Sequence, residues 1–155
     1  NGARIKIICG RIADGEGPVK DIITDPEYLD VTVPANSELS LPTTLGHTVF
    51  AYVIDGKGYF CKEKKPFTYE MEGVNYFDMQ TDPSVGNRTL VLFDDGDSVM
   101  VLTEADPVRF LFVSGKPIGE PVAWYGPIVM NTQDELRVAF EEYRKGTCVK
   151  QDKRI

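Results

Sequence analysis

His47 is the single histidine among 155 residues, and its imidazole is the side chain best suited to acid–base chemistry near neutral pH. A lone imidazole needs a nucleophile or a second acid for catalysis, and the spacing identifies no cysteine, serine or aspartate as its partner. One histidine also cannot supply a metal site built from several imidazoles. The sequence therefore favours a structural, hydrogen-bonded role for His47 over a catalytic one.

The three cysteines, Cys9, Cys61 and Cys148, are the other chemically reactive side chains. Their number is odd and no Cys-x-x-Cys pair occurs, so the sequence predicts neither a zinc knuckle nor a redox motif. Free thiols are typical of a reducing compartment, and no signal-peptide pattern is present. No apolar run approaches the roughly 20 residues of a membrane span. We therefore expect a soluble, cytoplasmic protein without a membrane partner.

The excess of acidic over basic side chains argues against a direct nucleic-acid partner. Twenty-four acidic and 17 basic residues give a net charge of −7, whereas phosphate binding needs a basic surface. The one dense basic run, residues 62–65, contains a glutamate and is typical of a solvated turn. A length of 155 residues and an apolar fraction of 42% predict one folded domain, residues 1–155, with a substantial core.

The elements that must position these side chains centre on residues 46–60. Within this stretch Val49, Ala51 and Val53 share one face of an extended segment, and larger apolar side chains share the other. Because both faces are apolar, we expect this strand to be covered on both sides in a two-layer β structure. The sequence Asp-Gly-Lys-Gly at residues 55–58 predicts a tight hairpin turn that leads into a return strand.

Short strands with frequent turn signals account for most of the remaining chain. The same alternation predicts strands at residues 4–10, 28–33, 37–42, 90–93, 99–102 and 109–113. Residues 62–89 form a long, aromatic-rich loop insertion, which we expect to be a surface flap rather than a lid. Residues 133–145 are the predicted terminal helix, which has a capping box at Thr132 and Glu135 and an apolar stripe to lie against a sheet. The pattern predicts an all-β antiparallel barrel or sandwich with one C-terminal α-helix.

A distinctive run of residues, 120–132, precedes this helix. It reads Glu-Pro-Val-Ala-Trp-Tyr-Gly-Pro-Ile-Val-Met-Asn-Thr and closely resembles the terminal signature of the pirin family. The stretches 28–31, 46–56 and 110–117 resemble a strand, a hairpin and a turn of the same family. The resemblance covers residues 3–145. It implies the second, C-terminal barrel of a bicupin, which is a cupin-type double-stranded β-helix, or jelly roll.

The resemblance places metal chemistry in the first barrel of the pirins, to which this sequence shows no likeness. That barrel carries a His-x-His-x-x-x-Glu run and a later histidine, and it binds iron. Some members are quercetin 2,3-dioxygenases, and others are nuclear transcriptional co-regulators. Projected onto this sequence, the ligand positions fall near Pro42, Thr44, Thr48 or Val49, and Val99. None of these side chains is a ligand for a mid-row metal, so we expect a metal-free barrel without a cofactor.

The residues and the resemblance leave three alternative functions. The leading hypothesis is a non-catalytic, structural domain that supports an N-terminal cupin barrel and presents surface to other proteins. The second makes the complete protein a metal-dependent, quercetin 2,3-dioxygenase-like enzyme with its active site in the N-terminal half. The third is a small-molecule-binding barrel, in which Val49, Ala51, Val53 and Val99 line an interior pocket and His47 lies at its rim. An exposed apolar patch would favour the first hypothesis, whereas an interior filled by its own side chains would exclude the third.

Overall fold

Antiparallel strands and one C-terminal helix form the described part of the chain. The computed structural model describes residues 2–61 and 83–149. The strands are β1 (Arg4–Cys9), β2 (Arg11–Ile12), β3 (Gly15–Glu16), β4 (Glu27–Val33), β5 (Glu38–Pro42), β6 (Thr48–Gly58), β7 (Val85–Gly86), β8 (Leu90–Phe93), β9 (Ser98–Leu102), β10 (Val108–Gly115), β11 (Ala123–Tyr125) and β12 (Ile128–Met130), and the helix is α1 (Gln133–Lys145). The chain divides into two compact units, Asn1–Pro117 and Ile118–Ile155. The single domain over residues 1–155 stays a prediction.

Two layers of sheet make up the first unit. The larger sheet has the order β1-β4-β10-β6-β7, and β8 also pairs with β6. Strands β5 and β9 pair with each other in the second layer, and an isolated bridge between Tyr59 and Leu102 links this layer to the end of β6. All these pairings are antiparallel, as the turn-rich sequence predicts.

The core lies between the two layers because alternate residues of each strand point inward. In the larger sheet, Phe112 of β10 pairs with Leu29 of β4 on one side and with Ala51 of β6 on the other, and all three are fully buried. Side chains of β5 and β9 complete the same cluster from the second layer. Apolar burial of this kind is the main force that stabilises the barrel.

Strand β6 differs from the hairpin that its glycines predict. It continues as one strand from Thr48 to Gly58, so the predicted turn at residues 55–58 is wrong. Arg109 of β10 pairs with Asp55 whereas Phe110 pairs with Val53, so β6 contains an extra residue at this point, a β-bulge. Residues that tolerate positive φ suit a bulge as well as a turn, and pairing with β10 beyond the bulge keeps the chain extended.

The two faces of β6 also differ from each other. Val49, Ala51 and Val53 are buried in the core, whereas Tyr52 on the opposite face is 37% exposed. The outer face is therefore only partly covered, since Phe50 and Ile54 beside Tyr52 are half-buried. Most of the loop insertion, residues 62–82, lies outside the described residues, and so does the choice between a flap and a lid.

The second unit contains the β11–β12 hairpin and α1, which packs on it. The helix bounds agree with the prediction, and Thr132 accepts from the Glu135 N–H while the Glu135 carboxylate accepts from the Thr132 N–H. Leu136 and Ala139 are the buried positions of the apolar stripe. Within the described residues, no helix is long and apolar enough to cross a membrane.

Candidate functional site

Two of the three side chains in the last inward-facing row at one end of the barrel are polar. Ser114 of β10 pairs with Glu27 of β4 on one side and with Val49 of β6 on the other. This row is adjacent to the fully buried row of Leu29, Phe112 and Ala51, because the paired residues of the two rows lie two positions apart in each strand. We call this end of the barrel the mouth.

His47 joins this polar row from the turn that precedes β6. Its Nδ1 atom lies 3.3 Å from the Ser114 hydroxyl oxygen, and Ser114 is 1% exposed. The turn is fixed by two backbone donors, since the His47 N–H donates to the Thr44 carbonyl and the Gly46 N–H donates to the Asp95 carboxylate. The contact with Ser114 agrees with the hydrogen-bonded role expected for this imidazole.

Glu27 is the carboxylate of this row, and its side chain is half-buried. Burial raises the pKa of Glu27, the charge of His47 opposes that rise, and the charge of Asp25 adds to it. Burial dominates because a carboxylate that loses water favours its neutral form. A carboxyl with a raised pKa beside an imidazole is an arrangement that can exchange protons with a bound molecule.

His47, Glu27 and Asp25 line a cavity of about 440 Å³ at the mouth, a size within the range of small-molecule sites. The opposite part of the lining comes from the β2–β3 hairpin and the loop after it. There, Arg11 donates from Nε and Nη2 to Glu16 Oε1 at 3.0 and 2.8 Å, and Lys20 donates to Glu16 Oε2 at 2.6 Å. These hydrogen bonds lower the pKa of Glu16, and the one from Lys20 has the largest effect.

The loop that carries this part of the lining is held against β1. The Cys9 thiol donates to the Val19 carbonyl at 3.4 Å, and the Gly17 N–H donates to the Gly10 carbonyl at 2.9 Å. Asp21 and Asp25 have positive φ values of 60° and 43°, which is uncommon for residues other than glycine. Both residues line the cavity, and strained backbone of this kind often accompanies binding sites.

The structure separates the five residues predicted to form a pocket. His47 lines the cavity at the mouth, whereas Val49, Ala51, Val53 and Val99 belong to the core cluster and are at most 5% exposed. The interior at these positions is filled by the barrel's own side chains. The prediction of an interior pocket lined by these four residues is therefore wrong, because the two layers pack directly on each other.

Sequence reasoning missed Glu27, Ser114, Arg11 and Lys20 as lining or neighbouring groups of the site. Ser114 and His47 are 67 residues apart, and only the register of β10 with its neighbours brings them together. Glu27 could have been found by extending the alternation of β4 backwards from Leu29, since it continues the buried face.

The residues near the projected metal-ligand positions do not fit a mid-row metal. Pro42, Thr44, Thr48, Val49 and Val99 offer no imidazole and no carboxylate. Within residues 2–61 and 83–149, no three His, Cys, Asp or Glu side chains are grouped so that they could hold a metal ion. No step of chemistry at the mouth is therefore assigned to a metal.

The two-layer barrel with a polar mouth defines the class of protein, a cupin. A cupin-like protein from Thermotoga maritima has a similar fold, with a TM-score of 0.50 and 14% identity over 88% of this chain and 84% of that chain. The crystal structure of a quercetin 2,3-dioxygenase from Acinetobacter baumannii has a TM-score of 0.72 and 23% identity over 95% of this chain and 44% of that chain.

The run at residues 120–132 resembles the terminal signature of one cupin family, the pirins, and the comparison with family models gives the same family. Residues 28–149 match the family model of the pirin C-terminal cupin domain, and the chain belongs to this family. A pirin-like protein from Arabidopsis thaliana is 33% identical over 94% of this chain and 44% of its own length. A pirin-like protein from Caulobacter vibrioides is 31% identical over 94% of this chain and 45% of its own length. The chain thus spans about half the length of these relatives.

Proposed function

We propose that this chain is the non-catalytic C-terminal barrel of a cytoplasmic pirin-like protein. It supports a metal-binding N-terminal barrel and presents surface to other proteins. In this proposal iron is bound by the N-terminal barrel, and the C-terminal barrel holds no cofactor. The side chains at the projected ligand positions support this division of roles, as does the length of the relatives, about twice that of this chain.

The observation that carries the proposal is an apolar surface on the outer side of the larger sheet, which we call the outer face. Its members lie side by side through the strand register, since Leu111 and Leu90 flank Tyr52, and Leu92 pairs with Phe50. Leu90 and Leu92 are 58% and 68% exposed. A contiguous apolar patch of this kind is typical of a surface that contacts another protein domain.

The second unit has exposed apolar side chains of its own. Trp124, Tyr125 and Val129 are more than half exposed on the β11–β12 hairpin. Aromatic residues are enriched at the centres of protein interfaces because they bury large areas at a small entropic cost. This hairpin is the second surface that we assign to partner binding.

The test measures binding of this chain to the N-terminal half of the Arabidopsis pirin-like relative by isothermal titration calorimetry. Leu92→Glu should weaken binding about ten-fold or more, because a mostly exposed leucine contributes roughly 1–2 kcal/mol on burial. Leu45→Glu is the matched control, since Leu45 is 67% exposed but lies in the turn before β6, outside the outer face. Its affinity should equal that of the unmodified chain.

Three results would contradict the proposal. The first is equal binding by the Leu92 and Leu45 variants, both shown by circular dichroism to be folded. The second is no binding of the unmodified chain. The third is stoichiometric iron in this chain alone, measured by elemental analysis after incubation with iron(II) under air and under nitrogen. Bound iron would make the chain itself a candidate enzyme.

An alternative is that the complete protein is a metal-dependent, quercetin 2,3-dioxygenase-like enzyme to which this barrel adds only stability. The name of a relative from Pseudomonas aeruginosa, a putative quercetin 2,3-dioxygenase that is 31% identical over 94% of this chain and 46% of its own length, supports it. Oxygen uptake with quercetin should then occur with the iron-loaded N-terminal half, and adding this chain should raise the temperature at which that activity is lost. Uptake with neither sample would exclude this alternative.

A further inference from the structure

The cavity at the mouth contains two separate groups of charged side chains. In the first, Arg11 and Lys20 both bind the carboxylate of Glu16, so two cations share one anion and the group carries an excess positive charge. Arginine and lysine side chains also have several N–H donors each, more than one carboxylate can accept. This group can therefore bind a further carboxylate.

The second group has the opposite charge. Asp25 lies two residues before Glu27, and both side chains line the cavity. His47 reaches the same row, because its Nδ1 atom lies 3.3 Å from the hydroxyl oxygen of Ser114, which pairs with Glu27. Asp21 also lines the cavity. A bound cation would relieve the repulsion between these carboxylates and replace the water that Glu27 has lost on burial.

The two groups act on different sites within one cavity. The first group is held together by the Arg11–Glu16 and Lys20–Glu16 ion pairs, at 2.8 and 2.6 Å, whereas Asp25 and Glu27 of the second group lie where the loop enters β4. The cavity thus has a positive part, where Arg11 and Lys20 meet on Glu16, and a negative part, at Asp25 and Glu27 where the loop enters β4.

We propose that the cavity binds a small zwitterion that carries one ammonium and one carboxylate group. The carboxylate of the ligand binds Arg11 and Lys20, and its ammonium group binds Glu27 and Asp25. The volume of about 440 Å³ accommodates a molecule of amino-acid size. This site is separate from the outer face, so it does not depend on the proposed docking of a second barrel.

The test uses the single histidine of the chain as its reporter, because its imidazole Cε1–H signal is unambiguous in a proton NMR spectrum. Glycine, β-alanine, γ-aminobutyrate and 6-aminohexanoate are titrated, since they separate the two charges by increasing distances. Each is compared with an amine and a carboxylate of the same length. At least one zwitterion should shift the His47 signal to saturation, with a dissociation constant about ten-fold below that of both singly charged analogues.

Variants assign the two ends of the ligand. Glu27→Gln, and separately the double variant Arg11→Gln/Lys20→Gln, should each weaken binding of that zwitterion about ten-fold. Lys57→Gln is the control, because the Lys57 ammonium lies 3.5 Å from Asp106 and does not line this cavity. It should leave the dissociation constant unchanged.

Three results would overturn the proposal. The first is that none of the four zwitterions shifts the His47 signal at millimolar concentration. The second is that an amine or a carboxylate binds as tightly as the zwitterion, which would indicate a site for a single charge. The third is that the folded Glu27 and Arg11/Lys20 variants bind as the unmodified chain does.

Discussion

Replacing Gly56 with alanine tests the bulge in β6 directly. Gly56 has a φ of 70°, and a Cβ atom added to it would lie 1.9 Å from the carbonyl oxygen of Pro107. Real Cβ atoms essentially never come closer than 3.0 Å to such an atom, so the backbone of β6 or of Pro107 must move. The Lys57 N–H donates to the same oxygen at 3.2 Å, so this movement also disturbs a hydrogen bond.

Two costs combine in this substitution. Alanine in the left-handed conformation costs about 1–2 kcal/mol, and displacing packed backbone costs about 1–3 kcal/mol more. We therefore expect Gly56→Ala to lower the free energy of unfolding by about 3 kcal/mol. For a chain of this length, the midpoint of thermal unfolding should fall by roughly 10 °C.

Two other glycines separate these costs. Gly46 has a φ of 81° and no atom within 4 Å of an added Cβ, so Gly46→Ala should show only the conformational cost. Gly86 has neither a positive φ nor a close neighbour, so Gly86→Ala should change stability least. Urea unfolding is followed by far-UV circular dichroism, because the single tryptophan, Trp124, lies in the second unit and does not report on β6.

The reasoning is refuted if Gly56→Ala is no more destabilising than Gly46→Ala. That result would mean that the Pro107 carbonyl is not where the β6–β10 register places it. It would also favour the predicted hairpin turn at residues 55–58 over the bulge, because the glycines of such a turn would face solvent.

Three further substitutions test the helix cap and two of the carboxyls whose pKa values are shifted. Thr132→Ala removes the capping box and should destabilise α1 by about 1 kcal/mol, measured by the helical circular dichroism signal during urea unfolding. Glu27 has a raised pKa, so the unmodified chain should lose stability as pH rises from below the unfolded carboxyl pKa through the folded one, and Glu27→Gln should remove this loss. Asp30 has the opposite shift, because Arg109 holds its pKa low, so its contribution should disappear as pH falls through the folded pKa. Asp30→Asn should therefore reduce the loss of stability at acidic pH. The assignments would be contradicted if Asp30→Asn kept that loss in full, or if Glu27→Gln kept the loss of stability with rising pH.

Elements defined by local signals could be predicted closely from the sequence. The bounds of α1 agree with the prediction, because each end is fixed by residues next to it in the sequence. Thr132 and Glu135 form the capping box at the start of the helix, and Gly146 ends it. The strands at β4 and β8 were also predictable, since alternation and turn residues bound them. The hairpin at residues 55–58 was not, because glycines suit a bulge and a turn equally. Pairing with Val108, more than 50 residues away, decides between them.

The site was harder to predict than the fold, because its members meet only through long-range pairing. His47 was identified by its chemistry alone, and the sequence offered no partner for it. Ser114 and Glu27 become its neighbours through the register of β10 with β4. The basic side chains of the cavity come from a short hairpin, and a two-residue strand such as β2 carries too little periodicity to be recognised.

The depth of the polar row limits where any ligand of this barrel can bind. Ser114 and Glu27 are the last inward pair, and the next row, which contains Phe112, is fully buried and apolar. A ligand can therefore reach His47 and Glu27 but cannot enter the interior without displacing core side chains, at a cost of several kcal/mol. A cupin metal needs ligands that converge inside the barrel, whereas a small polar molecule needs only the mouth. Within the described residues, the filled core therefore restricts the proposed reversible binding to the mouth.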